Sequence, residues 1–335
     1  MSLRRAVTTA VLAAVALLVT PATALADPAG PTDFVTEVVA VEPPTDGFEA
    51  SIVGGDAFVR LVVEPGHEVI VHGYDREPYL RFRSDGVVEH NLLSFATYYN
   101  ESRNGRDVDP ALYDHDAEPN WEAIADGGAY AWHDHRAHLM GDRPPGLEPG
   151  DSLPASFVPL TVDGRPVEVQ VLTTLQPSPS LWPVLIGLLL GLAIVILGGF
   201  AGPATMNLAL LALSAAALGV GLVQYLSLPI ETQPSLTWWF LPAMALACAA
   251  VVVLVYGWSA MLRDALMAIA GLDLVVWALT RQSGLTSAIL PTDLPFWLDR
   301  LVTAAALSGG IALTFATVRR LLQPSSEDAV EPVDA

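Results

Sequence analysis

Residues 157–200 read FVPLTVDGRPVEVQVLTTLQPSPSLWPVLIGLLLGLAIVILGGF, and this stretch contains the change of pattern that decides the fold. Its first part places Asp163-Gly164 between two runs rich in β-branched residues, which is the strongest short-range signal for a β-hairpin. Its second part, residues 181–200, is apolar, uncharged and long enough to cross a bilayer as a helix. The stretch therefore predicts a β-domain that leads directly into a membrane domain.

Residues 27–180 are predicted to form the β-domain. Residues 100–126 are polar and predict a long loop with a helical turn around Trp121. Several short strands bounded by turn signals favour an all-β antiparallel sandwich of the immunoglobulin or cupredoxin-like kind. Besides the hairpin, the predicted strands are residues 34–41, 57–63, 68–72 and 79–83.

The charge of the β-domain restricts its partners. Residues 27–180 contain 27 Asp and Glu residues against 9 Arg, and the whole chain has a formal net charge of −20. Phosphate backbones bind surfaces of the opposite charge, so the sequence excludes nucleic acid as a partner. The single cysteine, Cys248, lies in an apolar block, so the β-domain must depend on its hydrophobic core rather than on disulfides.

Residues 181–320 are predicted to form a helical membrane domain with about five spans. Each span must be helical because lipid offers no partner for a free backbone group. Membrane lipid is therefore a predicted partner, and a membrane protein packed against the spans is another. Residues 321–335 predict a short, disordered, acidic tail. The predicted spans are residues 181–200, 206–226, 238–258, 260–279 and 297–318.

Residues 1–26 predict a secretory signal peptide. Arg4 and Arg5 precede an apolar run from Ala6 to Val19, and Ala24-Leu25-Ala26 follows as an A-x-A cleavage site. The β-domain then lies outside the cytoplasmic membrane, and five spans place the C-terminus in the cytoplasm. We therefore predict a multi-pass protein of the cell membrane with an extracytoplasmic N-terminal domain.

Residues 130–140, YAWHDHRAHLM, contain three of the seven histidines of the chain. If residues 129–137 form a strand, His133 and His135 share one face, where both can reach one ion. His138 points to the other face unless the strand ends or bulges, and Met140 is a soft ligand that favours copper over zinc. The segment therefore predicts a transition-metal site, copper first and zinc second, for metal handling or sensing.

A second interpretation of this segment needs no metal. Trp132, Asp134 and Arg136 can form a hydrogen-bonded network that fixes the edge of the sheet against the long loop. The segment is then a folding element of a structural or protein-interaction module. The sequence alone favours neither interpretation over the other.

The sequence favours a non-catalytic protein over an enzyme. Gly127 followed by His133-x-His135 is similar to the start of a cupin motif, but Leu139 and Met140 stand where its glutamate belongs. No G-x-S-x-G nucleophile motif accompanies the histidines. A metal-dependent enzyme is the weakest of the alternatives, because it also requires an acid or base that the sequence does not identify.

Asp273 lies inside the fourth predicted span, where a carboxylate is costly. It is either an ion or proton site or a hydrogen-bonded group that holds helices together, for instance through Gln224 or Asn207. One buried acid without paired charges is more typical of an anchor or assembly platform than of a pump.

Three segments, GYDREPYLRF (73–82), YAWHDHRAHLM (130–140) and VPLTVDGRPVEV (158–169), carry a family resemblance. With the signal peptide and the helical block, they resemble a group of uncharacterised actinobacterial membrane proteins, and the resemblance covers most of the chain. It implies a signal peptide, a β-rich ectodomain and C-terminal transmembrane helices, and it implies no activity.

Overall fold

The computed structural model describes residues 29–254 and 259–323 of the 335-residue chain. The predicted signal peptide and residues 324–335 of the predicted tail lie outside the described residues. The strands are β1 (Phe34–Glu42), β2 (Phe48–Val53), β3 (Phe58–Val63), β4 (Val69–His72), β5 (Pro78–Phe82), β6 (Val88–Asn91), β7 (Trp121–Ala125), β8 (Ala129–Trp132), β9 (Ser156–Val162) and β10 (Arg165–Leu175).

These strands form two antiparallel sheets. One sheet has the order β1-β10-β9-β4-β5-β6-β7, and the other has the order β2-β3-β8. Every second residue of β10 from Val167 is buried, as period-two alternation requires. Buried side chains of both sheets, such as Leu61 of β3 and Leu160 of β9, belong to one hydrophobic cluster. The prediction of an antiparallel β-rich first domain is confirmed, while its immunoglobulin or cupredoxin-like class stays a prediction.

The predicted hairpin at Asp163-Gly164 is confirmed. β9 and β10 pair directly from Val162 and Arg165, which flank the turn. Asp163 and Gly164 have φ of 48° and 79°, the left-handed backbone that a two-residue hairpin turn needs. The Asp163 carboxylate also accepts a hydrogen bond of 2.9 Å from the Glu68 amide, so the turn is tied to the start of β4.

The predicted long loop at residues 100–126 is only partly correct. Trp121–Ala125 forms strand β7 and pairs with β6, so the predicted helical turn around Trp121 is wrong. A single 3₁₀ turn occurs earlier, at Pro110–Leu112. β7 forms a strand despite its polar sequence because it pairs with β6. The backbone hydrogen bonds between the two strands stabilise such a polar edge strand, and no apolar alternation is needed.

Among the residues that the structure describes, one short helix, α1 (Phe95–Tyr99), lies within the β-domain, and five long helices follow it. β10 ends at Leu175 and α2 begins at Trp182, on either side of the predicted boundary at residue 180. The long helices are α2 (Trp182–Ala201), α3 (Pro203–Leu226), α4 (Thr237–Leu254), α5 (Ala260–Thr280) and α6 (Phe296–Leu322).

Within the described residues, four helices, α2, α3, α4 and α6, are long and apolar enough to cross a membrane, which indicates a membrane protein. The sequence predicts about five, because it counts residues 260–279 as well. α5 has 21 residues but carries Arg263, Asp264 and Asp273. It packs between α4 and α6, and Asp264 and Asp273 are 7% and 2% exposed, so protein rather than lipid surrounds these carboxylates.

Small residues bring α2 and α6 into close contact. A Cβ atom on Gly187 would lie 2.3 Å from the Leu301 carbonyl oxygen, and one on Gly191 would lie 2.2 Å from that of Ala305. Only glycine fits at either position. The G-x-x-x-G spacing of the sequence thus marks a helix contact of the kind common in membrane proteins.

The β-domain is docked on one end of the helical bundle. Thr32 and Ile289, which precedes α6, exchange two backbone hydrogen bonds of 3.1 and 2.8 Å. The Asp33 carboxylate accepts a further hydrogen bond of 2.8 Å from the Ala288 amide. Direct polar and apolar contacts therefore fix the position of the β-domain. The apolar docking cluster consists of Ala29, Ala57, Phe58, Ala131, Leu228 and Trp238.

Candidate functional site

The histidine segment, residues 130–140, leaves the sheet earlier than the sequence predicts. β8 ends at Trp132, and the Ala137 amide then donates a hydrogen bond of 2.9 Å to the Asp134 carbonyl, which closes a turn. The Asp134 carboxylate stabilises this turn by accepting from the Arg136 amide at 3.1 Å. The predicted strand through Ala137 is therefore wrong, and so is the shared strand face predicted for His133 and His135.

Asp134, Arg136 and Trp132 form a buried polar network. The Asp134 carboxylate accepts from Arg136 Nε at 2.8 Å, from Arg136 Nη2 at 2.7 Å and from Trp132 Nε1 at 3.1 Å. Arg136 also donates to the His72 carbonyl, and its guanidinium lies 4.9 Å from the centre of the Tyr74 ring. Burial alone would raise the pKa of Asp134, but the Arg136 charge and these hydrogen bonds lower it overall. The predicted pair of Asp134 with Arg136 is confirmed.

His133 packs at the docking cluster. Its Nδ1 lies 2.7 Å from the Ala57 carbonyl oxygen, and its ring stacks on Phe58 with ring centres 4.1 Å apart. A carbonyl oxygen only accepts, so Nδ1 carries the hydrogen. Because Ala57 and Phe58 also contact the helical half through the docking cluster, His133 supports the junction between the two halves.

His135 and His138 pack edge to face, with ring centres 5.3 Å apart and ring planes at 76° to each other. His135 Nε2 is 2.9 Å from the Ser102 carbonyl oxygen, and His138 Nε2 is 2.8 Å from that of Arg103. Each Nε2 must therefore carry the hydrogen, which leaves a lone pair on each Nδ1. Both Nδ1 atoms are buried, and neither has a hydrogen-bond partner among the described residues.

The surroundings keep both imidazoles neutral. Burial lowers the pKa of His138 to about 4, and the neighbouring Arg103 charge adds to the effect. Burial also lowers the pKa of His135, although its hydrogen bond to Ser102 opposes the shift. At neutral pH each ring is therefore a neutral base with an available lone pair.

The two histidines bind the backbone of residues 102 and 103. Arg103, whose carbonyl accepts from His138, also donates from Nη2 to both Asp56 carboxylate oxygens at 2.8 Å. Asp56 is 1% exposed, and burial raises its pKa although the Arg103 charge opposes the shift. The sequence gives no signal for this contact, because backbone carbonyls of a polar loop supply the partners of the imidazoles.

The predicted ligands are thus only partly brought together. Met140 is 38% exposed on a loop. His133 bonds to the Ala57 carbonyl rather than to the rings of His135 and His138. In residues 29–254 and 259–323, no three or more His, Cys, Asp or Glu side chains are grouped to hold a metal ion. The remaining candidate metal ligands are the Nδ1 atoms of His135 and His138.

The helical half contains a buried ion pair that sequence reasoning missed. Arg281 Nη2 lies 2.5 Å from an Asp299 carboxylate oxygen, and Arg281 also donates to the Gln224 side-chain oxygen. Gln224 is therefore occupied by Arg281 rather than by Asp273, the partner considered from sequence. Asp273 is buried within the bundle at 2% exposure. The ion pair links the ends of α3, α5 and α6 directly below the docked β-domain.

No protein-family model, no curated protein and no solved structure matches this chain.

Proposed function

We propose that the chain is a membrane-anchored extracytoplasmic β-sandwich that binds a transition metal, with Cu(I) favoured, for metal handling or sensing at the cell surface. The Nδ1 atoms of His135 and His138 are the proposed ligands. The observation that supports this proposal is the pair of adjacent, buried imidazoles whose Nδ1 atoms lack a partner among the described residues. The signal peptide predicted for residues 1–26 would place this domain outside the cytoplasmic membrane.

The hydrogen bonds of the two rings are those expected around a bound metal. A histidine ligand commonly donates its second ring N–H to a carbonyl or carboxylate, which fixes the tautomer and the ring orientation. Ser102 and Arg103 provide such carbonyls at 2.9 and 2.8 Å. The neutral rings also bind a metal without first losing a proton.

The number of donors favours Cu(I) over zinc. Structural zinc sites need four ligands and catalytic ones need three from the protein, whereas Cu(I) forms stable complexes of low coordination number. Each unpaired buried acceptor costs about 1–3 kcal/mol, so an ion that reached both Nδ1 atoms would be favoured. The proposal thus replaces His133 with His138 as the partner of His135.

The test is Cu(I) affinity of the full chain in detergent, measured anaerobically against a chromogenic chelator. His135→Gln with His138→Gln keeps an amide N–H near each Nε2 position but removes both imidazole lone pairs. We expect affinity to fall roughly a hundredfold or more, beyond the 10–100-fold typical of losing an outer-shell partner. His115→Gln is the matched control, because His115 has a 50% exposed side chain. Equal affinity of the double variant and the control would refute the site.

The second candidate function is a structural or protein-interaction module in which the histidine segment is a folding element. The Asp134–Arg136 pair, with exposures of 0% and 16%, supports it directly. The same double variant separates the two functions. If it unfolds at a much lower temperature in metal-free buffer and wild-type stability does not rise with Cu(I), the structural function is favoured. If the variant is stable without metal and only the wild type gains stability with Cu(I), the metal function is favoured.

A further inference from the structure

A cleft of about 270 Å³ lies between the β-domain and the connection from α3 to α4. One wall comes from β8 and the end of α1, and the other comes from the 3₁₀ turn Ile230–Thr232 and the residue after it. We call it the interface cleft. Its lining includes Phe58, Asn100, Glu101, Tyr130, Trp132 and Glu231.

The charges of the interface cleft select for a cation. Glu101 and Glu231 both line it, whereas no Arg does so, and the chain has no Lys. Glu101 is paired with Arg106 at 2.7 Å, but Glu231 has no ion-pair partner among the residues that the structure describes. The Glu231 charge acts on the cleft itself, since burial and then this charge raise the pKa of the Tyr130 hydroxyl.

A second polar group in the interface cleft is incompletely satisfied. Asn100 is 6% exposed, and its buried Nδ2 makes no full hydrogen bond, although the amide interacts with the Tyr79 hydroxyl, which also lines the cleft. Its Oδ1 accepts from the Tyr74 hydroxyl at 2.6 Å, which leaves Nδ2 as the donor. A buried donor that is incompletely satisfied is costly, so a ligand with an acceptor group would be stabilised here.

The remaining walls are apolar and aromatic. Trp132, Phe58 and Leu80 line the cleft, and each of them is almost fully buried. Binding sites typically combine such walls with a few convergent polar groups, and a volume near 300 Å³ lies at the small end of their range. The occupant is therefore expected to be a small molecule that combines polar and apolar parts.

We propose that the interface cleft binds a small organic ammonium compound with a hydrogen-bond acceptor distant from its amine. Glu231 binds the ammonium group, Asn100 Nδ2 donates to the acceptor, and the aromatic walls contact the body. Because Glu231 belongs to the helical half and Asn100 to the β-domain, the ligand contacts both halves of the protein.

The test uses tyramine, N-acetyltyramine and hydroxyphenylpropionate, which share a phenol but are cationic, neutral and anionic. Binding to the full chain in detergent is measured by titration calorimetry at neutral pH. We expect tyramine alone to bind, and Glu231→Gln to weaken it roughly tenfold or more, as loss of a charged hydrogen bond does. Glu231→Asp should restore most of the affinity. The charge-matched control is Glu118→Gln, an exposed carboxylate outside the lining of the cleft, which should leave binding unchanged.

Three results would overturn the proposal. Equal binding of the neutral analogue would show that the ligand charge plays no role. An equal effect of Glu118→Gln would show that the attraction comes from the acidic surface in general and not from Glu231. Absence of tyramine binding at millimolar concentration would exclude an ammonium site of this size. Unchanged thermal unfolding of the Glu231 variants shows that a lost affinity reflects the site and not the fold.

Discussion

Replacement of Asp134 by Asn should strongly destabilise the β-domain. Asp134 is 0% exposed and neutralises Arg136, whose side chain is 16% exposed and also bonds to the His72 carbonyl. Asn keeps the size of the side chain but leaves the guanidinium buried without its counter-charge. Loss of one partner from a buried pair costs about 3–5 kcal/mol.

The expected change in unfolding temperature follows from the size of the domain. At about 2–4 °C per kcal/mol for a domain of roughly 150 residues, the midpoint should fall by roughly 6–20 °C. Near-ultraviolet circular dichroism of the full chain in detergent measures it. The control is Asp85→Asn, whose pair with Arg83 at 2.7 Å has side-chain exposures of 51% and 43% and should contribute about 1 kcal/mol or less.

The pH dependence provides a second check on Asp134. Its pKa is lowered in the folded state from the ordinary 3.8, so its contribution to stability is complete above that value. The contribution is lost as the pH falls through the folded pKa, because the carboxylate is then protonated. The gap between wild type and Asp134→Asn should therefore be wide at neutral pH and narrow in acid. A loss no larger than that of Asp85→Asn would refute the buried network.

Two further perturbations follow from the same contacts. Burial lowers the pKa of His138 to about 4, so wild-type stability should fall as the pH drops from about 6.5 toward 4. In thermal unfolding, His138→Gln should make stability depend less steeply on pH over this range. An unchanged pH dependence would contradict a buried neutral ring. On α3, Gly221→Ala should destabilise the helical bundle by about 1–3 kcal/mol, because its Cβ would lie 1.8 Å from the Trp238 carbonyl oxygen. Gly219→Ala is the control, because no described atom lies within 4 Å of its added Cβ. This change should stabilise the bundle by about 0.5–1 kcal/mol, measured by denaturation in a harsh detergent. Equal effects of the two substitutions would contradict the close contact of α3 with α4.

Local chemistry explains what the sequence predicts well. Asp163-Gly164 defines its hairpin because both residues tolerate the left-handed backbone that the turn requires. The apolar windows define α2, α3, α4 and α6 because lipid selects long apolar helices regardless of sequence detail. In both cases the pattern lies within a few consecutive residues.

Tertiary partners explain what the sequence does not predict. The strand assumed through Ala137 ends at Trp132 because the Asp134 carboxylate binds the Arg136 amide in a local turn. Period-two alternation cannot detect this competition. The carbonyls of Ser102 and Arg103, which fix His135 and His138, lie more than thirty residues away in a loop without a motif.

The proposed sites lie close to the contact between the β-domain and the helical bundle. His133 stacks on Phe58 of the docking cluster, and the interface cleft includes both His133 and Glu231 of the helical half. The Asp56–Arg103 pair connects the same face to the loop that holds His135 and His138. A ligand or metal bound in this region would therefore act on contacts that fix the β-domain to the bundle.

The most direct test of the proposed metal site is the copper X-ray absorption spectrum of the full chain loaded with Cu(I). We expect a first shell of nitrogen atoms at low coordination number that is lost in the variant carrying His135→Gln and His138→Gln. Sulfur in the first shell would show a thioether or thiol ligand and contradict a ligand set of two imidazoles. A spectrum that is the same in the wild type and the double variant would refute the proposed metal site.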